Sequence, residues 1–228
     1  MINQIVQNEV FIRGMLVSRY ESDDKTTAVI CSRATNKDHP NYQYVTFFGD
    51  LKTQIDSIDI CDSVCVTASA WIYRDKDTKL VNADNMRLRG KTLERTLDFK
   101  KRTIAAVGVP MYGLQLKDCV RFAFNGSIVS IKETKNHKAT LLLGVSEEDR
   151  EGFNIIPLVY TGRSDEDVRD VLNKYHKGNI VSVKGFVSQR NIPIEKDGKQ
   201  VYDHKNTYYI TSFLTSETEV DLENEILD

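Results

Sequence analysis

The chain has 228 residues, of which 31 are lysine or arginine and 33 are aspartate or glutamate, giving a formal net charge of −2. This length fits one large domain or two small ones, and no apolar run approaches the roughly 20 residues of a membrane-spanning helix. Residues 1–5 lack the basic segment and apolar stretch of a signal peptide, so we expect a cytoplasmic protein without a membrane partner.

Neither a metal site nor a catalytic site is visible in the sequence. Cys61 and Cys65 are the only close pair among four cysteines, and no second pair or nearby histidine completes a zinc site. The motifs of phosphate-binding loops, serine hydrolases and zinc proteases are missing. We therefore predict that the protein is not an enzyme and that it uses no metal and no cofactor.

Alternating apolar residues predict five strands in the first part of the chain, over 9–17, 26–36, 42–48, 63–74 and 79–88. Gly14 lies inside the first strand, where we expect a bulge or a sharp bend. Gly49 ends the third strand and precedes a short helix over 50–58, with Asp50 as its predicted N-cap. One face of the alternation predicts the interior of a barrel: Val10, Ile12, Val45, Phe47, Val64, Val66 and Ala68. The other face is predicted to point outward: Phe11, Arg13, Tyr42, Tyr44, Phe48, Trp71 and Tyr73.

The same order of elements recurs in the second part of the chain. Strands are predicted over 121–131, 139–145, 154–161, 179–189 and 207–214, with a helix over 165–175 capped by Ser164. Gly126 and Gly162 stand where Gly14 and Gly49 stand in the first part, which indicates a duplicated domain. The predicted domains are residues 1–90 and 120–215. They are separated by a basic linker over 91–119 that begins helix-like, and a disordered acidic tail follows over 216–228.

Five strands with a helix between the third and the fourth are the element order of the OB-fold, a Greek-key barrel. We therefore predict an all-β protein with two tandem OB-fold five-stranded Greek-key barrels, each with a short helix between strands three and four. The acidic C-terminal tail completes this organisation. It carries six acidic residues and no lysine or arginine from residue 215 onward.

Residues 5–90 resemble the bacterial and phage single-stranded DNA-binding proteins. The resemblance rests on four segments: Asn8-x-Val10-x-Ile12-x-Gly14-x-Leu16, Arg33-Ala34-Thr35-Asn36, Tyr44-Val45-Thr46-Phe47-Phe48-Gly49 and Ala70-Trp71-Ile72-Tyr73-Arg74. It implies single-stranded DNA as the partner, in replication, recombination or DNA transfer. The family usually has one OB domain per chain, so a chain with two leaves a monomer or a homo-oligomer open and fits a phage or mobile element.

The acidic tail also departs from the family pattern. Tails of the family usually end in an acidic, aromatic-tipped peptide that recruits replication and recombination proteins. This tail is acidic but ends Ile226-Leu227-Asp228. Recruitment of such proteins through the tail is therefore one expectation, and competition with DNA for the basic groove or a purely solubilising role are the alternatives.

Proteins that bind single strands stack bases on aromatic rings and hold phosphates with basic side chains. In the first repeat the predicted DNA-binding residues are Phe11, Arg13, Arg33, Tyr42, Tyr44, Phe48, Trp71, Tyr73, Arg74 and Lys79. In the second repeat they are Lys184, Phe186 and Arg190. Aligning the glycines places Phe186 where Trp71 stands and Pro157 where Tyr44 stands, so most stacking residues are lost there. Residues 190–206 are predicted to form a long loop with a hairpin tip at Lys196-Asp197-Gly198-Lys199.

Two other functions remain open from the sequence. The near-neutral body of the chain favours an interaction or scaffold protein, in which the second unit dimerises and the first binds protein. An RNA-binding OB module is the other alternative, because nothing in the sequence distinguishes recognition of a 2′-hydroxyl.

Overall fold

A computed structural model describes residues 8–32, 40–72, 86–96, 118–147, 150–196 and 198–214. These residues form ten strands and two helices, so the fold is mostly β. The chain divides into two compact units, with Val10–Ser69 in one and the described residues from Arg121 onward in the other. Neither described helix is long and apolar enough to cross a bilayer.

The first unit is a ring of five strands. Its elements are β1 (Asn8–Glu21), β2 (Lys25–Ser32), β3 (Asn41–Phe48), α1 (Gly49–Asp56), β4 (Ser63–Ile72) and β5 (Met86–Thr96). Neighbouring strands follow the order β2-β3-β5-β4-β1, and a further pairing of β1 with β2 closes the ring. The β3–β5 pair is parallel, whereas the β1–β2, β1–β4 and β2–β3 pairs are antiparallel.

The second unit repeats this connectivity. Its elements are β6 (Cys119–Thr134), β7 (Lys138–Glu147), β8 (Arg150–Thr161), α2 (Asp165–Lys174), β9 (Ile180–Lys196) and β10 (Lys199–Leu214). The strand order is β6-β7-β8-β10-β9, and β6 pairs with β9 to close the ring. The β8–β10 pair is again the parallel one. Helix α2 comes between β8 and β9 in the sequence, as α1 comes between β3 and β4 in the first unit.

Apolar side chains fill the interior of each barrel. In the first, the seven residues predicted to face inward are all fully buried: Val10, Ile12, Val45, Phe47, Val64, Val66 and Ala68. In the second, Phe122 and Phe124 stack with ring centroids 4.8 Å apart, and Tyr208 is buried against both. Burial of this apolar surface stabilises each barrel by about 25 cal/mol for every Å² removed from water.

Glycine in the first strand of each ring permits a very close approach to the second strand. A Cβ at Gly14 would overlap the backbone carbonyl of Cys31, and one at Gly126 would overlap that of Gly144. The expected bulge occurs three residues further on, where the register shifts between Leu16 and Ser18. An equivalent shift follows Gly126 on β6.

Helix α1 is held in place by hydrogen bonds to its polar residues and by burial of Ile55. Asp56 accepts a hydrogen bond of 2.7 Å from Thr26 of β2 and pairs with Lys52 at 2.7 Å. Partial burial acts to raise the pKa of Asp56, but the hydrogen bonds from Lys52 and Thr26 outweigh it and lower the pKa. Arg19 donates to the carbonyls of Ile55 and Ile58, which satisfies acceptors that a helix end leaves open.

The predicted caps have different outcomes in the two helices. Ser164 caps α2 as predicted, because its hydroxyl accepts a hydrogen bond from the backbone N–H of Asp167 at 3.2 Å. The N-cap predicted at Asp50 is wrong. Phe48 occupies that position without a side-chain cap, and the positive φ of 55° at Gly49 turns the chain from β3 into the helix.

The fifth strand extends further along the sequence than predicted. It was expected over 79–88, of which 79–85 lie outside the described residues, and β5 spans Met86–Thr96. The helix-like start predicted for the linker at residue 91 is therefore wrong, because the backbone continues as a strand to Thr96. Residues 97–117 and the tail after residue 214 lie outside the described part, so the linker, the tail and the domain boundaries stay predictions.

Residues 190–196 and 198–206 form a two-stranded ribbon in place of the predicted loop. The pairing of β9 with β10 continues outward from the barrel as far as Lys196 and Lys199. The predicted hairpin tip is confirmed, with Gly198 at a φ of 71°. Side-chain hydrogen bonds cross the ribbon from Gln189 to Asn206 and between Asn191 and His204.

We expect Gly14→Ala to destabilise the protein by roughly 3 kcal/mol, because the added methyl group meets a backbone carbonyl that cannot move aside. Urea unfolding followed by circular dichroism measures the change. Gly49→Asn is the matched control, since a Cβ at Gly49 meets no atom within 4 Å and asparagine tolerates positive φ. Equal stability of the Gly14→Ala variant and the unaltered chain would contradict the assigned role of Gly14.

Candidate nucleic-acid interface

The outward face of β3 presents a row of aromatic side chains. Residues 43, 45 and 47 of this strand are buried, so the even-numbered residues point to the outside of the barrel. Tyr44 is 44% exposed and Phe48 is 39% exposed, while Tyr42 is half-buried. The outward direction predicted for these three residues is confirmed. Large rings left on the surface side by side are typical of a binding site.

A tyrosine from β1 joins this row. Tyr20 is 64% exposed and pairs with Thr27 of β2, which in turn lies opposite Thr46 of β3. Partial burial raises the pKa of the Tyr44 hydroxyl, and the nearby phenols of Tyr20 and Tyr42 raise it further. Sequence reasoning missed Tyr20 because it ended the first strand at Val17, whereas β1 continues to Glu21.

An arginine on β5 supplies positive charge beside the row. Arg89 pairs with Thr46 of β3, and its guanidinium lies 5.3 Å from the ring centroid of Phe48. This is the geometry of a cation–π contact. Arg89 was missed because the fifth strand was expected to end at Leu88. The available signal was the alternation of Met86, Leu88 and Gly90 with the exposed residues between them.

These five side chains define what we call the aromatic face of the first barrel: Tyr20, Tyr42, Tyr44, Phe48 and Arg89. Rings of this kind stack on nucleobases of any sequence, and an arginine beside them can hold a phosphate or stack on a base itself. The chemistry of the face therefore fits a flexible single strand, whose bases are free to turn toward the protein.

Phe11 and Arg13 do not reach the surface, contrary to the prediction. Phe11 is 2% exposed and Arg13 is 9% exposed, and the guanidinium lies 5.6 Å from the Phe11 ring centroid. Alternation places both on the outer face of β1, but residues 10–14 are buried whichever way they point. Within the described part of the chain, Nε and Nη1 of Arg13 have no hydrogen-bond partner.

Five further DNA-binding residues were expected on the predicted second, fourth and fifth strands. Trp71 is half-buried near the end of β4. The other four lie outside the described residues, and their predicted contacts with DNA are untested: Arg33, Tyr73, Arg74 and Lys79.

In the second barrel, the three predicted residues lie along β9. Phe186 is 40% exposed, Arg190 is exposed and Lys184 is half-buried. Phe186 stacks on Tyr209 of β10, with ring centroids 5.4 Å apart and an angle of 22° between the ring planes. The predicted equivalence of Phe186 with Trp71 is wrong. Strand pairing matches Arg13 and Cys65 to Asn125 and Ser182, so Phe186 takes the place of Ser69.

The described residues offer no arrangement for metal chemistry. Among them, no three His, Cys, Asp or Glu side chains are grouped so as to hold a metal ion. Cys61 is exposed, whereas Cys31, Cys65 and Cys119 are buried.

Solved structures that share the fold of this chain include two of a single-stranded DNA binding protein. A deletion variant of the single-stranded DNA binding protein from Thermus aquaticus superposes with a TM-score of 0.59, at 11% identity, over 95% of this chain and 97% of that chain. The wild-type protein gives a TM-score of 0.57, at 10% identity, over 91% of each chain. No protein-family model and no curated protein sequence matches the chain. At such low identity, the likeness establishes the fold alone.

We expect Arg13→Met to leave affinity for single-stranded DNA unchanged and to raise stability by about 1 kcal/mol. The reason is that Nε and Nη1 of Arg13 are buried without a hydrogen-bond partner among the described residues, which is costly. Methionine keeps the unbranched stem that packs beside Phe11. Urea unfolding and an oligonucleotide titration measure the two quantities. A loss of affinity of about tenfold, equivalent to 1.4 kcal/mol, would place Arg13 in the interface after all.

Proposed function

We propose that this chain is a sequence-independent single-stranded DNA-binding protein built of two tandem OB-folds. The observation that carries the proposal is the aromatic face of the first barrel. Its residues lie on β1, β3 and β5, and the face of strands 2 and 3 is where OB-folds bind oligonucleotides. The likeness to the Thermus aquaticus single-stranded DNA binding protein supports the same reading.

The mechanism requires no catalytic group. Bases stack on Tyr42, Tyr44 and Phe48, while Arg89 holds a phosphate or the edge of a stacked base. The rings make no demand on base identity, since every base has a flat apolar face. A strand coated in this way is kept from reannealing and from nucleases, which suits replication, recombination or DNA transfer in the cytoplasm of a cell, including one infected by a phage or carrying a mobile element.

The acidic tail has a separate proposed role. It recruits replication or recombination proteins while the barrels hold DNA. This role rests on the sequence, in which six acidic residues lie after residue 214 without a compensating lysine or arginine. Truncation at residue 214 is expected to remove such a partner and to leave a folded protein that still binds DNA.

The first experiment is a titration of the full chain with an oligo-dT, the matching duplex and the matching RNA, each at two salt concentrations. Trp71 is the single tryptophan, so quenching of its emission reports binding of the oligonucleotide near the end of β4. Tight binding to the single strand, weakened by salt as phosphate contacts require, supports the proposal. Preference for the RNA, or formation of a stable oligomer without binding to any oligonucleotide, would overturn it.

We expect Tyr44→Ala to weaken binding to oligo-dT by roughly 5- to 150-fold, the equivalent of the ~1–3 kcal/mol that one stacked base contributes. Tyr44→Phe is the matched control, because it keeps the ring and removes only the hydroxyl. Fluorescence anisotropy of a labelled oligonucleotide measures both variants. Equal affinity of the Ala and Phe variants would exclude Tyr44 as a stacking residue.

We expect Arg89→Gln to reduce the slope of log affinity against log salt concentration by about 1, because one phosphate contact is lost. Arg95→Gln on the same strand is the control. The Arg95 guanidinium is already paired with Asp62 at 2.7 Å, so its replacement should leave the slope unchanged. The same slope in the Arg89 variant and the unaltered chain would show that Arg89 does not contact phosphate.

A further inference from the structure

The second barrel carries an open pocket on its outer surface. Its volume is about 590 Å³, and its walls come from the start of β7, the end of β8, the segment leading into α2, and the middle of β9 and β10. Pockets of a few hundred Å³ accommodate small ligands, and a single nucleotide falls in that class. The lining residues that matter chemically are Lys138, Arg163, Asp167, Phe186 and Tyr209.

An aromatic pair forms one wall of this pocket. Phe186 of β9 and Tyr209 of β10 are directly opposed in the strand pairing, and their rings are stacked at 5.4 Å. Phe186 remains 40% exposed, although an apolar ring of this size is usually covered in a folded protein. The exposed ring therefore offers a flat apolar surface to a ligand that enters the pocket.

Two cationic side chains line the same pocket. The Lys138 ammonium lies 6.0 Å from the Tyr209 ring centroid, and Arg163 lies on the segment between β8 and α2. The one carboxylate in the lining, that of Asp167, accepts a hydrogen bond from the backbone N–H of Arg163 at 2.8 Å. A ligand that has both a flat ring and a negative charge matches this combination.

The first barrel has a comparable arrangement at the same place. In the strand pairing of the second barrel, Lys138 lies opposite Thr161, and the corresponding pair in the first barrel is Lys25 opposite Phe48. Tyr209 is paired with Val159 as Arg89 is with Thr46. Each barrel thus has a cation over an aromatic ring beside the end of its third strand. In the first barrel the ring is on β3 and the cation on β5, whereas in the second the ring is on β10 and the cation on β7.

We propose that this pocket is a nucleotide subsite of the second barrel, in which a base stacks on Phe186 and an adjacent phosphate lies between Lys138 and Arg163. The proposal rests on the proposed function, because the nucleotide belongs to a single strand that the chain also binds through the aromatic face of the first barrel. Pairing of the base with another strand would prevent it from entering the pocket, so duplex DNA is excluded as the ligand.

The test is photochemical cross-linking of the full chain to an oligonucleotide of 5-iododeoxyuridine, which reacts with aromatic rings stacked on the base. Trypsin cleavage after Lys184 and Arg190 releases Phe186 in its own short peptide. We expect cross-links in that peptide and in the one that contains Tyr44. In the double variant Lys138→Ala, Arg163→Ala, the Phe186 cross-link should fall about tenfold, whereas the Tyr44 cross-link should persist.

The double variant Lys132→Ala, Lys177→Ala is the matched control, since both lysines are exposed on the second barrel outside the pocket. It should retain both cross-links, and circular dichroism should show that all variants are folded. Cross-linking at Tyr44 without any at Phe186 would overturn the subsite and leave the proposed function intact. An unchanged Phe186 cross-link in the Lys138 and Arg163 variant would also overturn it. Failure of the unaltered chain to bind the oligonucleotide would overturn both proposals.

Discussion

Closure of each five-stranded ring depends on one place where the first strand passes against the backbone of the second. At Gly14 the carbonyl of Cys31 occupies the position that a Cβ would take, and at Gly126 the carbonyl of Gly144 does. The register shift that follows in each strand increases its bend. The bent strand can then pair with the second strand along one part of its length and with the fourth along another. A ring closed in this way has no free edges between its strands.

Closure also separates the side chains that hold the fold together from those available for binding. On β3, Val45 and Phe47 fill the interior, whereas Tyr44 and Phe48 lie on the outside of the barrel and are exposed. Their exposure is costly in water, where an apolar ring is better covered. The fold itself gains little from a cluster of such rings beside Arg89.

Strand alternation predicted the interior and the β3 face well, because both depend on local pattern alone. It failed for Phe11 and Arg13, since the pattern assigns a residue to a face without telling whether that face is covered. It also missed Arg89 and Tyr20, which lie beyond the predicted ends of their strands. The match of Phe186 to Trp71 failed for another reason. The segment between the third and fourth strands is longer in the second barrel, so a constant separation between equivalent residues does not hold past the helix.

The second barrel shows why a residue-by-residue comparison of two units with the same connectivity misses corresponding positions. Its third strand has Pro157 and Thr161 where the first has Tyr44 and Phe48, and from the sequence most stacking residues are lost. Strand pairing, however, brings the same rows of positions together in both barrels. The aromatic ring of Tyr209 on β10 and Lys138 on β7 therefore form a contact like that of the Phe48 ring on β3 with Arg89 on β5. The net charge of −2 does not describe this arrangement either, because it does not tell which charged side chains the barrel places beside which aromatic rings.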